Sequence, residues 1–235
     1  MRWLALWCLS LVACGSVEQK RRTFPVEISS LAPTGANDFG WTVSVTSATA
    51  RIDTVRFFEG KVLVSQACRS NTKCSEGRGP AGRRWSFDPY VLIGGSAWAH
   101  AGHYVPGEAL GELLQSSDVD LLAAAPVELG VAQAVTGEYG SVELGLKNAH
   151  VKGTATKGGM TIAFDTTLYS PEKPIEGVKF DRLVQDEVGR VHLAVKLQTW
   201  LSRVDFAAPF TADGAARNGF IRGVQDTSAY EVTWK

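Results

Sequence analysis

From Thr23 onward the chain alternates apolar and polar residues with period two. The stretch "FPVEISSL" begins the alternation. In "WTVSVTSATARIDTVRFFEGKVLVS" Trp41, Val43 and Val45 fall on one face, and Thr42, Ser44 and Thr46 on the other. After Ser47 the pattern resumes as Ile52, Val55 and Phe57, then Val62 and Val64, with Gly60 marking a hairpin. β-Branched and aromatic residues spaced this way make half-buried strands. "WSFDPYVLIGG" reads as a further strand. After Pro106, "GEALGELLQ" sets Leu110, Leu113 and Leu114 at helical spacing and predicts one short helix. Strands return from Val127, broken by glycines at strand-length intervals as far as Ser170. "KPIEGVKFDRLVQDEVGRVHLAVKLQTWLSRVDF" adds at least two strands, and a terminal strand carries Tyr230, Val232 and Trp234. About ten strands without a βαβ rhythm predict an all-β domain, an antiparallel β-sandwich or jelly roll.

The N-terminus follows another pattern. After Arg2, residues 3–13 are apolar except Ser10, and Gln19, Lys20, Arg21 and Arg22 close the run. Eleven residues cannot span a bilayer as a helix, which needs roughly 20. They do match the apolar region of an export signal, which runs about 7–15 residues. The run ends in Leu11-Val12-Ala13-Cys14, which resembles the lipobox of bacterial lipoproteins. That resemblance implies cleavage before Cys14, diacylglycerol on its sulfur and acylation of the new amino group. Several acyl chains at about 0.8 kcal/mol per buried methylene hold a protein on a membrane durably. In the enterobacterial sorting pattern Asp after the cysteine retains a lipoprotein at the inner membrane, and Gly15 stands there instead. The expectation is therefore a cell-envelope protein at the outer membrane, with its membrane as partner. Residues 1–13 form the signal, 14–23 the lipidated cysteine and tether, and 24–235 one domain.

This assignment leaves two of the four cysteines, Cys68 and Cys74, in an oxidising compartment, where a disulfide between them is expected. So short a loop gains roughly 2.4 kcal/mol at most from chain entropy. The surrounding "QACRSNTKCSEGRGPAGRR" holds Arg69, Lys73, Arg78, Arg83 and Arg84, and reads as a solvated basic loop. Overall the 24 basic and 24 acidic residues balance, which argues against a nucleic-acid binder.

Catalytic signatures are missing: no G-x-S-x-G, no H-E-x-x-H, no phosphate-binding loop and no dinucleotide fingerprint. One cluster stands out. "SAWAHAGHYVPGE" gathers Trp98, His100, His103, Tyr104 and Glu108. His100 and His103 suit a copper or zinc ion, with His150 or His192 as a further ligand. Trp98 and Tyr104 suit a stacked sugar ring. Trp41 and Trp234 fall in phase with Val-rich faces and belong in the core. The arrangement of "VRFFEGKVLV" early and "RVHLAVKLQTW" late looks somewhat like periplasmic copper-handling lipoproteins associated with methanobactin, and like lipoproteins of predatory and soil bacteria. That likeness is one of strand pattern and transfers no residue. A non-catalytic binding or structural module leads. A copper or zinc protein and a carbohydrate-binding or hydrolytic domain stay open beside it.

Overall fold

The period-two stretch beginning at Thr42 forms a single 18-residue strand, with no break at Ser47. The computed structural model describes residues 19–60, 107–169 and 173–235. In chain order the strands are β1 (Arg21–Leu31), β2 (Thr42–Glu59), β3 (Ala109–Leu113), β4 (Ser117–Asp120), β5 (Val127–Val135), β6 (Gly137–Lys157), β7 (Met160–Tyr169), β8 (Ile175–Val184), β9 (Val191–Lys196) and β10 (Tyr230–Trp234). Helices α1 (Leu197–Ser202) and α2 (Ala215–Gln225) lie between β9 and β10. The fold is all-β and sandwich-like, as the alternation predicts.

Its centre is the antiparallel pair of β2 and the 21-residue β6. In β2 the buried positions switch from Val43 to Ala48, Ala50 and Ile52, then back to Val55 and Phe57. Register shifts at Val45/Ser47 and Ile52/Thr54 each add a residue to β2. An extra residue reverses which face every later side chain takes, so these two bulges keep the apolar set inward along the whole strand.

The sheet has ten strands in the order β10-β9-β1-β5-β3-β2-β6-β7, with β4 beside β2 and β8 beside β6. Two features of the sheet depart from the sequence expectation, and helices α1 and α2 stand where only strands were expected. The sheet is mixed, because β1 pairs parallel with β9 and antiparallel with β5. The stretch "GEALGELLQ" holds β3 in place of the expected helix. Leu110 and Leu113 both point inward because β3 carries a bulge opposite Phe57/Phe58. Leu114, the third member of the supposed helical face, is exposed. Open ladders on β2 and β5 pair with the segment from both sides and outweigh its helical spacing.

The sheet curls so that β8 lies against β10. Inside the curl five strands contribute one aromatic cluster. Phe24 meets Phe57 at 5.2 Å and Trp234 at 5.3 Å, while Tyr139 and Phe180 sit 6.1 Å apart, mostly edge to face. Burial drives the Tyr139 hydroxyl up to about 12 as it donates to the Val135 carbonyl. A second cluster joins Trp41, Phe164, Phe206 and Phe210 near the helices. Trp41 is buried and Trp234 partly so, both against the core. Helices α1 and α2 pack on each other through Trp200 and Phe220, and Trp200 also meets Tyr230 of β10. The Tyr230 hydroxyl donates to the Val224 carbonyl at 2.7 Å and accepts from Trp200 Nε1 at 3.2 Å. Its burial pushes that phenol well above the usual tyrosine range. Among the described residues no helix is long and apolar enough to cross a membrane.

The two poles of the domain differ. The β1–β2 turn and both helices occupy the pole where β1 ends and β2 begins. The opposite pole gathers the start of β1, the end of β2, the β5–β6 turn and the β8–β9 loop. There the Glu59 N–H donates to the Glu108 carbonyl at 2.8 Å.

Candidate functional site

The residues that the sequence singles out first lie outside the described residues. These are Cys14, the Cys68–Cys74 pair, His100, His103, Trp98 and Tyr104, together with the start of the strand pairing expected after Gly60. The remaining two histidines are described, and the fold separates them. His150 sits on β6 and His192 on β9, with β1, β5, β3 and β2 between those strands in the sheet. His192 Nε2 is 2.9 Å from Ser29 Oγ. Burial holds His192 below its ordinary pKa, with the Lys235 charge adding to the effect. Among the described residues no three His, Cys, Asp or Glu side chains converge as metal ligands.

What the fold does assemble is a polar face. Strand alternation that buries Ala48, Ala50, Ala149, Val151, Phe164 and Leu168 turns the intervening residues of β2, β6 and β7 outward. Register then aligns them in rows across four strands. One row runs Asp120, Thr49, His150, Thr167, and the next runs Asp118, Arg51, Asn148, Tyr169. A third continues with Ser47, Lys152 and Asp165. Neighbouring rungs on one face bring such side chains within reach of each other.

Asp165 organises one side of this face. Its Oδ1 is 2.8 Å from His150 Nε2 and its Oδ2 is 3.0 Å from Lys152 Nζ. The hydrogen bond from His150, and then that from Lys152, keep the carboxyl below the usual aspartate range. Both partners are therefore held in place over the sheet by a carboxylate that stays charged. On the other side Asp120 Oδ1 accepts from the Leu122 N–H at 2.9 Å, which fixes its orientation at the strand end.

Between the two sides lies a shallow, open depression of about 380 Å³, bordered by Thr49, Asp118, Asp120, Asn148, His150 and Tyr169, among others. Tyr169 is 73% exposed at its rim, so an aromatic side chain is available to a ligand. Hydroxyl, amide, carboxylate and imidazole groups on a stiff sheet suit a flat, polyhydroxylated ligand. They are spread over a water-filled surface, whereas acid–base chemistry works best in a dry enclosure.

A larger groove of about 770 Å³ runs beside β1, β3 and β5, between Arg21, Arg22, Glu112, Gln133 and Val188. It is also open, and its polar groups are less convergent. Arg22 is already paired with Asp186.

Sequence reasoning missed the polar face because its members span positions 47 to 169 and meet only through register. Outward polar residues at alternate positions of β2, β6 and β7 were the available signal, but alternation does not say which rungs align. No protein family, no curated protein and no solved structure matches the chain, so its function has to be argued from its own residues.

Proposed function

We propose that the chain is a bacterial cell-envelope lipoprotein of the outer membrane, carrying a non-catalytic binding module on a short tether. The observation that supports this reading best is the position of Leu11-Val12-Ala13-Cys14 at the end of an export-type apolar run, with Cys14 seven positions before β1 begins at Arg21. A lipidated cysteine so placed leaves the folded domain intact behind it. In the native bacterium, Cys14→Ser is expected to abolish incorporation of labelled fatty acid and to move the protein from the membrane to the soluble fraction. Unchanged membrane attachment of that variant would overturn the reading.

The polar face favours a saccharide as the bound ligand. Tyr169 offers a ring for stacking, while Asp118, Asp120 and Asn148 offer acceptors and donors for vicinal hydroxyls. Stacking on an aromatic ring contributes about 1 kcal/mol. Titration of the Cys14→Ser chain with neutral envelope oligosaccharides, followed by NMR, should therefore show affinity falling about fivefold in Tyr169→Ala. Equal affinity of the two proteins would remove the saccharide reading of this face.

A further inference from the structure

We propose that the pole at the start of β1 rests on the lipid surface, with Val188 and Leu183 as its apolar contacts and Arg21 as its headgroup contact. The proposal depends on the lipoprotein reading and adds to it an orientation.

Tether length carries the first step. Residues 15–20 separate Cys14 from Arg21, and a fully extended chain spans about 3.3–3.6 Å per residue. Arg21 therefore stays within about 25 Å of an acylated Cys14. The leash does not lengthen by peeling from the domain, because its last residue is fastened. The Lys20 N–H donates to Thr136 Oγ1 at 3.0 Å, and the Thr136 N–H donates to the Lys20 carbonyl at 2.8 Å. Lys20 Nζ and the Arg22 guanidinium both pair with Asp186, which ties the β8–β9 loop to the same point. With β1 11 residues long, the domain is about 35 Å tall along that strand, more than the leash spans. The pole where the leash ends is the one held at the membrane.

The second step is what that pole displays. Val188 is wholly exposed, at 102%, in the β8–β9 loop, and Leu183 at the end of β8 is 54% exposed. Both flank the fastened leash: Leu183 shares a depression with Lys20 and Thr136, and Val188 borders the groove beside Arg21. Of the acidic residues around the leash, Asp186 is engaged by Lys20 and Arg22, Glu187 by Arg182 and Glu27 by Arg190, whereas the exposed Glu59, Glu108 and Glu138 of this pole make no ion pair among the described residues. Arg21 makes no ion pair among the described residues, so its guanidinium is available to an anionic headgroup. An apolar tip beside a free cation matches the boundary between headgroups and acyl chains. In this orientation the polar face of β4, β2, β6 and β7 opens sideways, clear of the bilayer.

Hydrogen exchange of the lipidated full chain tests the orientation. The chain is reconstituted in vesicles of phosphatidylethanolamine and phosphatidylglycerol and compared with the Cys14→Ser chain in the same vesicle suspension. Amides of residues 136–137 and 185–189 should exchange about threefold more slowly in the lipidated chain, with residues 211–226 unchanged. Val188→Asp should reduce that protection without altering urea unfolding, since the side chain touches nothing that folding needs. An acylated chain showing no slowing at this pole, or slowing only around the helices, overturns the orientation alone. A chain whose intact mass carries no acyl groups overturns the lipoprotein reading and the orientation together.

Discussion

Asn37→Asp, a change of one amide to one carboxylate, should lower the stability of the domain by about 3 kcal/mol at neutral pH. Asn37 is 7% exposed and uses every hydrogen-bonding capacity of its side chain. Nδ2 donates to the carbonyls of Leu201 at 3.0 Å and Val204 at 2.7 Å. Oδ1 accepts from the N–H groups of Phe39 and Trp41, each at 3.0 Å. The side chain thereby joins the β1–β2 turn to the end of α1, where helix carbonyls have no partner within the helix. Aspartate keeps the two accepted bonds but sets a second anionic oxygen against the Leu201 and Val204 carbonyls. Each buried polar group stranded in this way costs about 1–3 kcal/mol. Such a carboxyl has a pKa in the folded state above the ordinary value of about 3.9, through burial and carbonyl repulsion. The folded variant then holds its proton more tightly than the unfolded one, so its stability falls as pH rises from about 4. Urea unfolding at pH 4.5 and 7.5 should show the larger loss at 7.5. Stability equal to the parent at both values would show that the four hydrogen bonds contribute little.

Asn37 also illustrates what a sequence conceals. Its two acceptors lie 164 and 167 positions away, and nothing in "PTGANDFGW" announces them. The core alternation of β1, β2 and β10 was legible, as was the inward direction of Trp41 and Trp234, because period two is a local property. Three features failed for a common reason. Bulges in β2 imitate an interruption at Ser47, and the bulge in β3 imitates helical spacing at Leu110 and Leu113. The parallel pairing of β1 with β9 joins residues over 160 positions apart. All three depend on which strand becomes a neighbour. The helices are a different case. Leu197, Trp200 and Leu201 repeat at helical spacing, as do Ala216, Gly219, Phe220, Gly223 and Val224. The signal was present, but the preceding strand "RVHLAVK" and two glycines within "AARNGFIRGVQ" made those stretches look extended. The polar face was illegible for the same reason as the pairing: its chemistry is divided among four strands and exists only in register.

Those two glycines carry the second prediction, whose sign opposes helix propensity. At an exposed helical position Gly→Ala gains about 1 kcal/mol, because alanine loses less backbone freedom on folding. Gly219 and Gly223 are both buried on the seam where α2 crosses α1. A Cβ at Gly219 would stand 1.9 Å from the Arg203 carbonyl oxygen, and one at Gly223 would stand 2.3 Å from that of Trp200. These obstacles are backbone atoms, so no side-chain rotation relieves the contact. The Arg203 carbonyl also sits beside Leu201 and Val204, whose carbonyls Asn37 already fixes, so α1 has little freedom to retreat. Relief requires α2 to move away, which separates Phe220 from Trp200, now 6.2 Å apart, and opens the layer beneath. Overpacking of this kind costs about 1–3 kcal/mol where neighbours yield, and more where they are fixed backbone. Gly219→Ala should therefore lose about 3 kcal/mol net and lower the melting temperature by about 6–12 °C. Asn218→Ala, at the exposed neighbouring position, should be neutral or gain a few tenths of a kcal/mol. The pair separates propensity from packing by thermal unfolding alone. A stabilised Gly219→Ala would mean that α2 does not approach α1 this closely.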